Sequence, residues 1–319
     1  MLLLLGIAIG THGLGLLSPA VLSFLDPAMP VALVAIGVLI GLRAPIRRTD
    51  RRILAAAQAQ PLLTVALVFG GILFIAPGWG ASAELPYWFL ALVLAVAAAS
   101  SSTDALLPIV AGGISLAMLR EPSPLAALLL ALQALAIALV IAAAGWLLLT
   151  RSRSDTEQRV FAIALLLLLG GASDYLGLSA LFSGLVAGMF LEYAGGPARD
   201  YVRRDVLHVQ HPLLVLVLVV TGARVEVAYA WLGLGAAYLA LATAGRYAGG
   251  WLGGRMATMD PRRDAGLPLL APDLLGIAFA LNVLRAAGPD AAPALAVVAF
   301  GAIGAELLRP VVRPVEALA

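Results

Sequence analysis

Residues 100–110 read SSSTDALLPIV. Ser101, Ser102, Thr103 and Asp104 line up hydroxyls and one carboxyl, a set that can replace a cation's water shell and supply a negative charge. The same run weakens a helix, because short polar side chains compete for backbone groups. Pro108 removes an amide donor, and Gly112 and Gly113 loosen the next turn. An interrupted helix there would expose carbonyls beside Asp104, which could take up a cation or a proton. The competing reading is a solvated, inert polar turn at a membrane surface.

Three further places could join that chemistry. In LLAPDLLGIAFALN (269–282), Pro272 and Gly276 bracket Asp273, again an interrupted helix with one acid. The alternative is an N-terminal cap, with Asp273 accepting amide hydrogen bonds. Arg246 lies near the middle of AYLALATAGRYAGG, with Gly245, Gly249 and Gly250 allowing close helix approach. A buried arginine needs an anionic partner, and Asp104 or Asp273 is the candidate. The alternative is an arginine snorkelling to the interface. In SDYLGLSALFSGLVAGMFLEY (173–193), Gly184 and Gly188 read as packing, with Asp174 near a membrane face beside Tyr175. Glu306 and Arg309 are three apart and read as a structural pair on one helix face.

The elements that must position these residues are membrane helices. Of 319 residues, 62% are hydrophobic and only 12% charged, against about 25% charged in soluble domains. Apolar runs long enough to cross a roughly 30 Å hydrocarbon layer recur along the chain. We read spans at 1–17, 29–43, 53–77, 86–120, 124–149, 160–176, 178–194, 212–224, 229–253, 265–287 and 292–313. The N-terminal run lacks a basic n-region and a small-residue cleavage site, so it reads as a short first span rather than a signal peptide. The fold class is all-α and polytopic, with about 11–12 transmembrane helices in a single domain, 1–319.

Composition removes other classes. Net charge is +2, so nothing calls for a nucleic-acid partner. All basic residues are arginine, which cannot be tuned to release its proton as lysine can. With no cysteine, thiolate catalysis and Cys-type metal sites are out. His12, His208 and His211 show no metal spacing, and the last two read as solvated in an arginine-rich loop. No hydrolase, kinase, P-loop or zinc signature appears, so the chain reads as no enzyme, with no cofactor.

Arginines cluster at 43–52, 151–159, 197–204 and 253–263, and the positive-inside rule places all four loops in the cytoplasm. The list gives three crossings between the first two clusters, where the rule requires two or four. Splitting 86–120 near its serines gives four, and twelve spans in all. Residues 30–43 (PVALVAIGVLIGLR) and 212–224 (PLLVLVLVVTGAR) echo each other. Seven spans apart, the second copy would be inverted, as in many secondary transporters.

In order along 6–313, these segments resemble the monovalent cation/proton antiporter superfamily, particularly its potassium-efflux-like bacterial branch. GIAIGTHGLGLLSP (6–19) resembles a glycine-rich first conserved span, and 85–110 an interrupted helix with a Ser-Ser-Thr or Thr-Asp element. YLGLSALFSGLVAGMFL (175–191) is similar to a Gly-Leu-Ser segment before a glycine-spaced helix, and 211–227 to a helix ending in Gly plus a small residue. Arg246 falls where members carry lysine or arginine, and 269–281 on the second interrupted helix. The resemblance implies two inverted repeats, about 1–149 and 175–313, whose interrupted helices cross at the midplane. It implies alternating access, with cation and protons competing for one carboxylate. That needs an acid disfavoured as an anion by burial and restored by a cation or basic neighbour.

The chain departs from the family in one place. The acid is expected on the helix after the Ser-Ser-Thr element, but 124–148 contains none, with Gln133 and Ala134 in its neighbourhood. The chain is one helix short there and lacks the usual first span. A shortened register makes Thr103-Asp104 stand in for the acid; otherwise the proton carrier is lost. The expected function is exchange of a monovalent cation, sodium or potassium, for protons across the cell inner membrane. Asp104, Thr103, Ser102, Ser101 and Asp273 form the ion site, Arg246 is the charge partner, and a homodimer is entertained. The rivals are a non-transporting member of the fold and a carrier for another small solute.

Overall fold

The computed structural model describes residues 1–11, 13–43, 51–79, 86–100, 106–121, 123–226, 229–256 and 274–312. All regular structure among them is helical. In chain order the helices are α1 (Leu2–Ile9), α2 (Pro19–Leu25), α3 (Ala28–Leu42), α4 (Arg51–Ile75), α5 (Tyr87–Ala99), α6 (Leu106–Arg120) and α7 (Pro124–Arg151). They continue as α8 (Asp155–Tyr175), α9 (Ala180–Ala194), α10 (Pro197–Arg224), α11 (Tyr229–Met256), α12 (Leu274–Ala287) and α13 (Ala292–Val312). Five helical stretches are long and apolar enough to cross a membrane, and α2 with α3 forms a sixth, bent by 47°. The chain is thus a multi-pass membrane protein.

Glycine sets how the helices meet. α3 and α9 run parallel, with Gly37 against Leu181 and Gly184, and Gly41 against Leu185 and Gly188. A Cβ on any of the four glycines would overlap the partner's backbone. Without water to drive apolar association, such close backbone contact is a main source of helix pairing. The expectation that Gly184 and Gly188 serve packing holds. α1 meets α10 in the same way: Gly6 against Val219 and Gly222, Gly10 against Ala223. α11 runs antiparallel to α4, with Gly245 on Thr64 and Gly249 on Gln60.

These directions bring Arg43, Arg151, Arg199 and Arg255 to one end of the bundle, as the charge rule requires. Trp146 Nε1 on α7 donates to the Gly195 carbonyl (3.4 Å), tying α7's last turns to the α9–α10 turn. The cluster at 197–204, read as a loop, is instead the start of α10, which takes in His208 and His211. Gly195 and Gly196 turn the chain at φ of 66° and 75°, and Pro197 opens the helix at a position needing no amide donor. Arg199 then pairs with Glu192 (3.3 Å) and Asp200 (3.1 Å). Both histidines are exposed, as expected.

Segment 86–120 bears on the crossing count. Its arms α5 and α6 have 13 and 15 residues, about 20 Å each, and α5 ends beside Arg246, part-way along α11 rather than at its arginine-rich end. Val96 of α5 packs where a Cβ on Gly112 of α6 would lie. α5 follows α4 through a short 3-10 turn (Ala76–Trp79), so it starts at the end α4 reaches. α6 finishes at that same end, where Arg120 Nη1 donates to the Leu176 carbonyl (3.1 Å). The two arms form a hairpin of half-spans. Among the described residues between the first two arginine clusters, α4 and α7 then run from one end to the other, an even pair, while α5 and α6 do not add two full spans.

Candidate functional site

The hairpin has a physical problem at its inner end. α5 stops at Ala99 inside the bundle, and its last turns, Val93–Ser100, are buried. The final carbonyls of a helix have no intrahelical donor and carry the negative end of its dipole. Left unpaired in apolar surroundings, each costs several kcal/mol.

Arg246 answers part of that demand. It is 4% exposed, and its Nη2 and Nε donate to the Ala98 carbonyl at 2.9 and 3.3 Å. The snorkelling alternative is therefore excluded. Gly245 and Gly249, on either side of Arg246, seat α11 against the backbone of α4 at Thr64 and Gln60. Thr64 Oγ1 spends its hydrogen on the Gln60 carbonyl (2.8 Å). The Gln60 Nε2 amide is buried without a hydrogen-bond partner among the described residues. Ser100, the first serine of the polar run, is fully buried and donates to the Val96 carbonyl at 2.6 Å. Its hydroxyl thus serves its own helix end.

Ser101, Ser102, Thr103, Asp104 and Asp273 lie outside the described residues. The described flanks place their neighbours: Ser100 is buried at the end of α5, two residues from Ala98, and Leu274 opens α12. The Arg309 side chain of the expected Glu306 pair is also outside. Among the described residues no cluster of three or more His, Asp or Glu side chains could hold a metal ion.

One sequence reading changes, and one residue was missed. Gly112 and Gly113 do not loosen α6, which runs unbroken to Arg120. They make room for the rings of Phe279 on α12 and Phe182 on α9. Aromatic partners in distant segments gave no local sign of this. Asn282 was not singled out, yet its Nδ2 donates to Ser179 Oγ (3.0 Å) while its Oδ1 accepts the Leu181 amide (3.4 Å). Ser179 Oγ also accepts the Phe182 amide (3.1 Å), so α12 and the Gly-Leu-Ser turn together cap α9.

The acid-free α7 is a peripheral helix. Its buried line is Ala127, Ala134, Ala138, Ala142, Gly145 and Leu149, small residues mostly four apart. Leu125, Leu128, Leu129, Leu132 and Val140 point outward, as does Gln133. An acid at Gln133 would face the surroundings of the bundle, not its interior.

No protein-family profile matches the chain, and no curated protein matches it in sequence. Among solved structures it is similar to the sodium proton antiporter MjNhaP1 from Methanocaldococcus jannaschii, solved at pH 8. The TM-score is 0.61 at 16% identity, covering 97% of this chain and 90% of that one. Across nearly its whole length, the chain has the fold of a sodium/proton antiporter.

Proposed function

We propose that this protein is a secondary transporter exchanging a monovalent cation, sodium or potassium, for protons across the cell inner membrane. The observation that carries this reading is the buried Arg246 guanidinium on the Ala98 carbonyl. It places a fixed positive charge at the inner end of a half-helix, immediately before Ser101, Ser102, Thr103 and Asp104. Asp104 is the carrier, binding either proton or cation, with the three hydroxyls as oxygen ligands. Arg246 competes with the cation for that carboxylate, and Asp273 is a second polar element. The antiporter fold supports the reading, as do the paired glycine contacts α3–α9 and α1–α10. Those pairs fit two inverted repeats, about 1–149 and 175–313, with the arginine-rich end in the cytoplasm.

The non-transporting alternative drew its support from the missing acid in 124–148. Of the two residues in that neighbourhood, Gln133 faces outward and Ala134 inward, so the flux assay is what separates the two readings. In proteoliposomes, an imposed pH gradient should drive sodium or potassium movement, and Asp104→Asn should reduce it to background. Undiminished exchange in Asp104→Asn would reject the assignment. No exchange by the native, well-folded protein would favour the alternative.

A further inference from the structure

The end of the bundle opposite the arginine clusters carries an ion network joining distant parts of the chain. Arg285, on the last turn of α12, donates through Nη1 to Asp26 Oδ1 (3.3 Å) and through Nη2 to Asp174 Oδ1 (2.6 Å). Asp26 sits at the bend between α2 and α3, and Asp174 near the end of α8. Arg224, ending α10, also donates to Asp26 Oδ1. Arg120, ending α6, donates to the Leu176 and Ala286 carbonyls (3.1 and 3.3 Å). Its guanidinium occupies the space a Cβ on Gly177 would need, at a turn with φ of 61°. The outer ends of α6 and α12, the helices that follow the two polar elements, are thus clasped to α3, α8 and α10.

Two cavities meet at this clasp. The outer one, about 560 Å³, is lined by Thr11, Ser23, Asp26, Arg224 and Arg285. The inner one, about 90 Å³, is lined by Arg120, Ser173, Asp174, Asn282 and Arg285. Its volume and polar lining suit a few waters. Arg285 is the charged side chain common to both walls.

We propose that Arg285, held between Asp26 and Asp174, is the closed gate between the outer vestibule and the polar interior. Moving α12 away from α3 and α8 requires releasing both carboxylates, and that release joins the two cavities. The pairs suit a reversible gate. The side chains of Arg285, Asp26 and Asp174 are 16%, 38% and 49% exposed, so water and salt weaken their attraction. The gate's purpose rests on the transport reading above, but its test does not.

The chain has no cysteine, so a single reporter can be introduced without other changes. Ser173 lines the inner cavity and is 2% exposed. In sealed vesicles, Ser173→Cys should react slowly with a charged, membrane-impermeant methanethiosulfonate. Adding Arg285→Gln should raise the rate at least tenfold for reagent on the face away from the arginine clusters. Arg285→Lys, which cannot hold two carboxylates with one planar fork, should fall between. An unchanged rate would overturn the gate. So would a rise equal from both faces, which reports a loosened fold. Neither depends on cation flux, so a protein that moves no ions leaves this result standing.

Discussion

Arg246 and Arg285 each hold a helix end in place, by opposite means. Arg246 grips a backbone carbonyl at the inner end of α5, deep in the bundle. Arg285 grips two carboxylates at the outer end of α12, beside a cavity. A carbonyl cannot be protonated, and a buried one left without its donor bears its full desolvation penalty, so the first contact is costly to break. The second joins charges that water and salt can solvate separately, so it can open and close. In the function and gate proposed above, the buried arginine fixes the site and the rim arginine switches access to it.

The contrast is tested most severely at Arg246. Arg246→Leu should strip the Ala98 carbonyl of a donor, at a cost of about 1–3 kcal/mol. The negative end of α5 would also lose its countercharge, worth up to about 2 kcal/mol in a partly buried setting. Thermal unfolding in detergent should show a clearly lowered midpoint, and flux should fall to background. Full stability and flux in this variant would mean that the α5 terminus is satisfied without Arg246.

Next in size is the glycine packing of α3 against α9. Gly184→Val would push a side chain into the Val34 carbonyl of α3. Overpacking of this kind costs about 1–3 kcal/mol. Gly171, with open space at its Cβ position, is the control. Gly171→Ala should melt with the native protein while Gly184→Val melts earlier.

A smaller effect separates the two arginines by salt. Exposed pairs lose most of their attraction as the Debye length shrinks from about 10 Å at 0.1 M to about 3 Å at 1 M. Labelling of Ser173→Cys should therefore quicken a few-fold in high salt, and Arg285→Gln should abolish the salt dependence. Salt sensitivity that persists in Arg285→Gln would place the screened contact elsewhere.

The two regions also differ in how legible they were. Arg246 announced itself as a charge amid an apolar run flanked by glycines. The helical architecture followed from hydropathy, while the parity of arginine loops asked for two full crossings in 86–120, where the described arms α5 and α6 are half-spans. The clasp could not be read this way. Arg285 lies 259 residues from Asp26 and 111 from Asp174, and each looks like an ordinary polar helix end. Gly112 and Gly113 were misread for a related reason. The propensity scale sees a missing side chain, while the fold supplies Phe279 and Phe182 from remote segments to fill the space. The extension of α10 back to Pro197 was missed because its first turns are polar, and a hydropathy window reads polarity as loop.

The smallest expected effect falls on the residue that the family resemblance made conspicuous. Gln133 occupies the neighbourhood where the antiporter superfamily leads one to expect an acid, yet it is exposed on the outer face of α7. Its neighbour Ala134 faces inward, in the small-residue line that lets α7 approach the bundle. If the site lies at the α5 end beside Arg246, then Gln133→Leu should alter stability by no more than about 0.5 kcal/mol, as for surface substitutions elsewhere. It should leave the dependence of flux on pH and cation untouched. Ala134→Leu is the sharper partner experiment, since the added bulk must separate α7 from its neighbours and lower the melting midpoint. A flux change from Gln133→Leu without a change in stability would place the chemistry on α7, and Arg246 would then be a structural cap alone.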